Sequence, residues 1–456
     1  MVSVTAIVPT FNRACLVGTA LDSILRQTYR PLEIIVIDDG STDFTPSVLA
    51  GYGDRIRHVR KENGGKSDAI NLALSLSKGD GIWIFDDDDV AHPAALEHMA
   101  GALARNPGYG FAYGRYARFR QQGNQVSCCQ PEDFSDCREH PLPIGLMYRC
   151  FIHQPGLLVR RSCYEAIGPF RSDLIRSQDY DMILRLSRRF AGQFVDAITF
   201  YQRQHEGPRG SAAHPIAYRD LWMEWRRFDR RIFEALHGQY ALSDFAVQPQ
   251  ATSTSPDDWR FAALLQRFCI FARKGLWFLA SADLTEAAEI AATRGVTQLD
   301  PRLARILRRG LELSEQGEEL DGAMTFLRPV LDRFAPARLR REIRQGLARP
   351  VPYLVRREAA WHGVAGGLAS WRAYAALLGH RAVLRAFAGR LATEVARQPT
   401  TSRQGPGESR SAVPRELLLA LQGSPVPPPW RNAQVPPAGK PDLTSHPHGA
   451  LGASPP

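Results

Sequence analysis

No apolar run in this 456-residue sequence is long enough to span a bilayer, and only seven cysteines are scattered along the chain. The first absence argues against a membrane-spanning helix. The second excludes a small disulfide-stapled scaffold and is typical of a protein from a reducing compartment. One stretch is richer in cysteine, but its spacing fits no zinc-ligand pattern, so we expect no zinc site among Cys128, Cys129, Cys137 and His140.

The beginning of the chain has neither the basic segment nor the cleavage site of a secretion signal, because Met1–Val4 runs directly into a strand-like pattern. We therefore expect a cytoplasmic protein, with a peripheral contact to the inner face of a membrane as a further expectation. Hydrophobic residues make up 44% of the chain and charged residues 23%, so the chain can bury a large core in more than one domain.

The positive charge is concentrated in one segment. Residues 328–397 contain fourteen arginines, no lysine and four acidic residues, an excess of ten that equals the formal net charge of the whole chain. Such a segment favours an anionic partner, either lipid headgroups or nucleic acid. Because the pattern is helical and aromatic residues are interspersed, it is compatible with a helix on an anionic membrane surface, and equally with a solvated basic face. A nucleic-acid partner is not expected.

Apolar runs and helical patterns alternate four times at the start of the chain, which is the signature of an α/β fold with a mostly parallel, Rossmann-like sheet. This domain is predicted over residues 1–215. Residues 216–397 are predicted to form an Arg-rich helical region. Residues 398–456 are rich in Pro, Gly and Ser and are predicted to be a disordered tail.

Residues of unusual chemistry follow each of the first four predicted strands. They are Thr10–Arg13, Asp38–Asp43, Asn63–Ser67 and Asp86–Asp89. In open α/β sheets, ligands bind beyond the carboxyl ends of the strands, so these four groups are predicted to form one site.

Four adjacent carboxylates at a strand end are the most unusual of these groups. Like charges this close raise the free energy of the fold unless a cation is bound there or water reaches each of them. Carboxylate oxygens are ligands that suit Mg²⁺ or Mn²⁺, which commonly retain substrate phosphates as further ligands. A solvated acidic loop is the alternative interpretation of an isolated acidic run.

A second acidic pair stands in the first turn of an amphipathic helix that begins near Ser177. Asp179 and Asp181 can be favourable helix-start charges, which is the usual explanation of acids at this position.

The motifs, in their order and spacing, resemble those of family 2 glycosyltransferases. The resemblance covers roughly residues 1–215 and rests on five groups, Pro9–Arg13, Asp38–Asp43, Asn63–Lys66 with Ala69 and Asn71, Phe85–Asp89, and Gln178–Asp181 with Leu184 and Arg185. It implies a GT-A fold, a nucleotide-diphosphate sugar donor (a UDP-sugar before others), a divalent Mg²⁺ or Mn²⁺ ion, and inversion at the anomeric carbon. It also implies a sugar, lipid-linked or protein acceptor and a role in bacterial cell-surface polysaccharide or glycoconjugate synthesis.

The resemblance also implies residue roles. The base and ribose of the nucleotide are expected at Thr10, Arg13, Asp38 and Asp39, and the ribose and diphosphate at Asn63, Gly64 and Lys66. Asp86 and Asp87 are expected to face the donor and Asp88 to bind the metal, with the register of the acidic run open by one residue. Asp179 is the expected catalytic base, although Gln178 stands where the family carries a Glu. His205, after the last predicted strand, is expected at the metal or phosphate, and an exposed loop histidine is the alternative.

General chemistry agrees with this resemblance. Breaking the bond to a diphosphate builds negative charge on the leaving oxygens, which a metal ion offsets, and a carboxylate must accept the proton of the attacking hydroxyl. A nucleotidyltransferase is one alternative, but Pro9–Asn12 is not the Gly-rich basic loop expected there. A non-catalytic membrane- or nucleic-acid-binding protein is another, but it would leave the acidic groups without a purpose.

Overall fold

The computed structural model describes residues 2–134, 140–204, 221–247, 255–296, 303, 307, 320–333, 337–348, 351–396, 410–411 and 413–422. Strands and helices alternate through its first part, as the sequence predicts. The strands are β1 (Val4–Thr10), β2 (Glu33–Asp38), β3 (Arg57–Arg60), β4 (Gly81–Ile84) and β5 (Val90–Ala91). The helices between and after them are α1 (Val17–Leu25), α2 (Thr45–Ala50), α3 (Lys66–Leu76) and α4 (Ala95–Arg105).

The first four strands form a parallel sheet in the order β3-β2-β1-β4. All seven residues of β1 and all four of β4 are buried, because helices cover both faces of a parallel sheet. Alternate residues therefore belong to different cores. Ile7 and Ile82 pack in the cluster that includes α3, whereas Val8 and Trp83 pack in the cluster that includes α1 and α4.

Later elements extend this sheet. They are β6 (Tyr109–Gln122), β7 (Gln125–Cys129), α5 (Leu142–Tyr148), β8 (Leu157–Arg160), α6 (Arg161–Ile167), α7 (Gln178–Arg189) and β9 (Ala191–Arg203). β8 lies antiparallel between β4 and β6, and β9 pairs parallel with β6 and antiparallel with β5. The predicted α/β fold is confirmed, with the parallel strands at the start of the chain and antiparallel pairs added by the later strands.

A helical region follows, as predicted for residues 216–397. Its described helices are α8 (Leu221–Gln239), α9 (Pro256–Arg273), α10 (Trp277–Thr293), α11 (Leu320–Leu331), α12 (Ala337–Ala348), α13 (Val351–Leu378) and α14 (His380–Ala396). Phe233 of α8 and Phe268 of α9 belong to the same apolar cluster as Ile7 and Tyr180, so the helices share a core with the sheet. None of the described helices combines the length and apolarity needed to cross a membrane.

The predicted disordered tail contains a structured segment. Within residues 398–456, Arg410–Ser411 forms a short strand, β10, that pairs antiparallel with β7, and Arg415–Gln422 forms helix α15. Leu417 of α15 is fully buried in an apolar cluster with Val90 and Tyr201, and the Tyr201 hydroxyl donates to Glu416 Oε1 at 2.8 Å. The prediction missed α15 because the Pro, Gly and Ser of the surrounding tail conceal one short amphipathic pattern. The remaining tail residues lie outside the described residues.

Shortening the buried side chain of α15 is expected to destabilise the protein. Leu417→Ala leaves a cavity beside β5, so the free energy of unfolding should fall by about 2 kcal/mol. Leu419→Ala is the matched control, because Leu419 lies on the same helix with 55% of its surface exposed, and its effect should stay within about 0.5 kcal/mol. Urea denaturation of both variants measures the difference. Equal stabilities of the two variants would show that α15 does not dock in solution.

Candidate active site

The first loop (Thr10–Arg13, after β1) and the second loop (Asp38–Asp43, after β2) are joined by hydrogen bonds. Asn12 adopts a left-handed backbone conformation with φ of 53°, and its Oδ1 accepts from the backbone N–H groups of Thr42 at 2.8 Å and Asp43 at 3.3 Å. The backbone N–H of Arg13 donates to Thr45 Oγ1 at 2.8 Å. These bonds fix the direction in which the first loop leaves the sheet.

Asp39 holds the third loop (Asn63–Ser67, after β3) in place. Its Oδ1 accepts from Lys61 Nζ at 2.7 Å and from the N–H of Gly64 at 3.0 Å, and its Oδ2 accepts from the N–H of Gly65 at 2.7 Å and from Asn63 Nδ2 at 3.2 Å. Between the second and third loops, Gly40 has φ of +81°, and an added Cβ would lie 2.9 Å from the backbone nitrogen of Asn63. Only glycine fits there without moving the loop.

These loops open onto a cavity of about 440 Å³. The predicted residues that line it are Thr10, Arg13, Asp39, Asn63, Gly64, Lys66, Asp86, Asp87 and Asp88. Asp38 does not line it, because its side chain is fully buried and its Oδ1 accepts from the N–H of Ser41 at 2.8 Å, which stabilises the turn after β2. His205 lies outside the described residues.

Three carboxylates of the acidic run come together. One oxygen from each of Asp86, Asp88 and Asp89 lies within 4.8 Å of the others. Asp87 points elsewhere, with its Oδ1 3.7 Å from Arg13 Nε. Asp89 was not among the predicted metal ligands, and it is 3% exposed and accepts from the N–H of Arg203 at 2.8 Å. The carboxylates that the structure brings together are therefore Asp86, Asp88 and Asp89.

A cation and a second acid complete the site. Lys66, the first residue of α3, places its Nζ 2.5 Å from Asp86 Oδ1. Burial opposes the charged form of Lys66, but the charges of Asp86 and Asp179 raise its pKa above the usual value. Asp179 therefore lies near enough to interact with Lys66 electrostatically. Its side chain does not line the cavity, although that of the preceding Gln178 does.

The sequence of the site region has known relatives. Residues 5–152 match the model of "Glycosyl transferase family 2". Uncharacterized glycosyltransferases of Rickettsia prowazekii and Rickettsia felis are each 30% identical, over 222 and 224 residues. Each alignment covers 48% of this chain, but 70% of the first relative and 37% of the second. A hyaluronan synthase of Pasteurella multocida is 28% identical over 187 residues, which are 40% of this chain and 18% of that protein.

The chain belongs to glycosyltransferase family 2. The 30% identity to a relative of which the alignment covers 70% decides this membership. The predicted GT-A type of fold is confirmed with it, because the parallel sheet and its four loops lie within the matched residues. The chain spans about a third of the length of the R. felis relative, and the helical region lies beyond the residues that the family model matches.

In this family 2 chain, the acidic cluster fits a divalent cation. Burial, as the largest cause, and the charge of Asp88, as the next, raise the pKa of the neighbouring Asp87 to about 7. The same two causes raise the pKa of Asp89 well above its usual range. The raised pKa values mean that these carboxylates are costly to ionise unless a positive charge lies beside them. Because they also present only hard oxygen atoms, they are a suitable ligand set for Mg²⁺ or Mn²⁺.

Metal affinity of this cluster should depend on pH. Ligand carboxylates must be ionised, and the pKa of Asp89 in the cluster is raised well above its usual range, so the affinity should fall as the pH drops and Asp89 is protonated, by about tenfold per unit for each displaced proton. Titration calorimetry of Mn²⁺ at pH 8, 7 and 6 measures this change. A dissociation constant that does not vary over this range would contradict the assignment.

Apart from Gln178, sequence reasoning missed one wall of the cavity. It is formed by Ser172, Leu174, Ile175, Arg176 and Gln178 before and at the start of α7, and by Gln202 and Arg203 at the end of β9. Gln178 is 7% exposed, and its Oε1 has no hydrogen-bond partner among the described residues. No periodic pattern marks residues 172–176, so only their position before the acidic helix start could have indicated them.

Proposed function

We propose that the protein transfers a sugar from a nucleotide-diphosphate sugar to an acceptor hydroxyl, with a divalent metal and with inversion at the anomeric carbon. One observation carries this proposal. The three-carboxylate cluster, the ammonium of Lys66 and the start of the helix that bears Asp179 surround one cavity. Candidate cation-binding and phosphate-binding groups thus line a cavity at which the helix that bears Asp179 begins.

The diphosphate is proposed to lie between Lys66 and the acidic cluster. Lys66 lines the cavity and is the first residue of α3, so a helix N-terminus and a positive side chain lie at the same wall, whereas the N–H groups of Gly64 and Gly65 are bound by Asp39. Helix N-termini favour phosphate groups. The metal, held by Asp86, Asp88 and Asp89, would supply Lewis-acid stabilisation of the charge that develops on the leaving diphosphate.

The nucleoside is proposed to lie toward the first and third loops. Thr10, Arg13, Asp39 and Asn63 line that end of the cavity. The carboxylate of Asp39 is engaged with Lys61 and the Gly64–Gly65 backbone, so its contribution is to shape the loop. Asp38 is proposed to act in the same indirect way, through its bond to Ser41.

The proton of the acceptor hydroxyl is proposed to pass to Asp179. A hydroxyl is a weak nucleophile at neutral pH, so it needs a base within hydrogen-bond reach as it attacks the anomeric carbon. The bond from this carbon to the acceptor oxygen forms while the bond to the diphosphate oxygen breaks. One carboxylate base suits a single inverting displacement, whereas glycosidases place two carboxylates on either side of the bond.

A binding experiment tests the donor class. UDP, GDP and dTDP are each titrated into the protein with Mn²⁺ and with EDTA. We expect one of them, UDP before the others, to raise the melting temperature only when the metal is present. Stabilisation by a nucleoside triphosphate and a sugar 1-phosphate, and not by any diphosphate, would favour a nucleotidyltransferase instead.

We also propose that the Arg-rich helices lie on an anionic membrane surface, which suits a lipid-linked or cell-surface acceptor and the relationship to a hyaluronan synthase. Among the side chains that the structure describes on α13 and α14, the large apolar groups of Val364, Leu384 and Leu368 are exposed by 76%, 57% and 50%. Arg372 and Arg385 are exposed on the same two helices. Exposed apolar groups flanked by cations are typical of interfacial helices.

Flotation with liposomes tests this second proposal. The wild-type chain should float with vesicles that contain anionic phosphatidylserine and not with pure phosphatidylcholine. Arg372→Glu with Arg385→Glu should reduce the floating fraction. Equal flotation of wild type and variant on anionic vesicles would exclude these helices as the contact.

A further inference from the structure

Ser177, the residue immediately before α7, has a backbone conformation that is unusual for its type. Its φ of 56° and ψ of 17° lie in the left-handed region, which a non-glycine residue occupies only when its surroundings hold it there. This conformation sets the direction in which α7 starts. It therefore sets where Gln178 meets the cavity and where Asp179 stands beside it.

The hydrogen bond that holds Ser177 comes from the helical region. Ser177 Oγ donates to Asp229 Oδ1 of α8 at 2.8 Å. The other oxygen of Asp229 lies 3.4 Å from Nζ of Lys274, the residue that immediately follows α9. A carboxylate 52 residues away along the chain thus fixes the residue at which α7 begins.

Lys274 holds the other side of the same turn. Its side chain is 10% exposed, and its Nζ donates to the Tyr180 hydroxyl at 3.0 Å. The ammonium also lies over the rings of Tyr180 and Phe233, 4.7 and 4.6 Å from their centres. The Tyr180 hydroxyl in turn donates to the backbone oxygen of Leu146 at 2.5 Å. A buried ammonium needs a counter-charge, which Asp229 supplies.

The cavity wall before Ser177 is attached to the same helix. Arg231 of α8 places its Nη2 3.2 Å from Asp173 Oδ2, and Asp173 stands between the cavity-lining Ser172 and Leu174. α8 therefore contacts this wall at Asp173 and again at Ser177. Asp179 lies between Ser177 and Tyr180, the two residues that Asp229 and Lys274 contact.

We propose that Asp229 and Lys274 are positioning residues, through which the helical region beyond the family-matched residues sets the orientation of Asp179. The inference rests on the proposed function, because it gives Asp179 the role of proton acceptor. It gives α8 and α9 a part in catalysis even though they contribute no residue to the cavity lining. Donor binding, which belongs to the other loops, should be independent of both residues.

Substitutions at Ser177 test the proposal. Ser177→Ala removes the hydroxyl and leaves the left-handed conformation unsupported, so kcat should fall on the order of tenfold to a hundredfold while KM for the donor stays within about twofold. Ser177→Gly also lacks the hydroxyl, but glycine adopts this conformation without strain, so it should recover most of the lost kcat. A side chain needed only for stability would not show this recovery.

Asp229→Ala should lower kcat at least as far as Ser177→Ala does, because it removes the same hydrogen bond and also the ion pair with Lys274. The double variant should fall no further than Asp229→Ala alone. Asp244→Ala is the matched control. Asp244 also joins the helical region to α7, through Arg188 at 3.1 and 3.0 Å, but near the far end of that helix. It should leave kcat unchanged.

Hydrogen exchange provides a readout without turnover. Peptides that cover residues 172–181 should exchange faster in Asp229→Ala and Ser177→Ala than in Asp244→Ala. Wild-type kcat in Ser177→Ala, a Ser177→Gly variant no better than Ser177→Ala, or unchanged exchange would overturn the inference. A wild-type protein that turns over no donor while these exchange differences are present would overturn the proposed function instead.

Discussion

Asp88→Ala should abolish metal-dependent sugar transfer, with a loss of at least about a thousandfold in kcat/KM. Asp88 is one of the three members of the cluster, with Asp86 and Asp89, and removing it leaves two carboxylates for the cation. In the transition state, negative charge develops on the diphosphate, and in a water-poor site its stabilisation by the metal is a large effect. The loss of kcat/KM should therefore be larger than the loss caused by removing a single hydrogen bond to the substrate.

The same variant should make the metal-free protein more stable. The charge of Asp88 is, after burial, the next cause that raises the pKa values of Asp87 and Asp89. A raised carboxylate pKa means that stability is complete below about pH 4 and is lost as the pH rises through the folded-state value. Without Asp88 this loss shrinks, so the free energy of unfolding should increase by about 1 kcal/mol at pH 7.5 and not at pH 4.

Thermal unfolding in EDTA and in Mn²⁺ measures both effects. Mn²⁺ should stabilise wild type and not Asp88→Ala. Asp54→Ala is the control, because Asp54 is an exposed acid in the turn Gly53–Arg55, outside the cavity. If Asp88→Ala were instead less stable than wild type in EDTA, the loss of transfer would reflect damage to the fold.

Asp179→Asn should lower kcat by about a thousandfold with little change in donor affinity, because Asn keeps the shape of the side chain and cannot accept the proton at neutral pH. Its Oδ1 accepts from the N–H of Tyr180 at 2.9 Å, a bond that the Asn oxygen can also make. Steady-state rates at saturating donor and acceptor measure the effect on kcat, and the donor dissociation constant measures the effect on donor affinity.

Asp181→Asn separates this role from that of a helix-start charge. Asp181 is 5% exposed and holds Arg185 at 2.8 Å and Arg171 at 3.6 Å, so its contribution is structural. Its substitution should lower the melting temperature and leave kcat within a few-fold of wild type. Equal losses of kcat in Asp179→Asn and Asp181→Asn would mean that neither acid is the base.

The fold of the first domain could be predicted because its signals are periodic and local. Continuous apolar runs predict β1, β2 and β4, and the polar groups that follow them meet because parallel strands end at one edge. The three-dimensional register of Asp86–Asp89 could not be predicted, because four identical residues differ only in which way the loop turns them. The sequence also does not reveal that the Asp38 carboxylate accepts a hydrogen bond from the N–H of Ser41.

Contacts between distant segments carried no sequence signal. Asp229 and Lys274 are single polar residues on otherwise ordinary helices, and nothing in their spacing indicates that they meet Ser177 and Tyr180. The docking of α15 depends on a few residues, among them the buried Leu417 and the hydrogen-bonded Glu416, within a tail of low complexity. Such contacts follow from the tertiary packing and not from propensity or period.

The most direct test of metal-dependent sugar transfer is one labelling experiment. Wild type and Asp88→Ala are incubated with isotope-labelled UDP-, GDP- and dTDP-sugars in the presence of Mn²⁺, and both sugar transfer and sugar release are followed. The wild-type chain should process one donor, lose that activity in EDTA, and exceed Asp88→Ala by at least about a thousandfold. Equal rates of the two proteins on every donor would contradict the assignment of the acidic cluster and, with it, the proposed function.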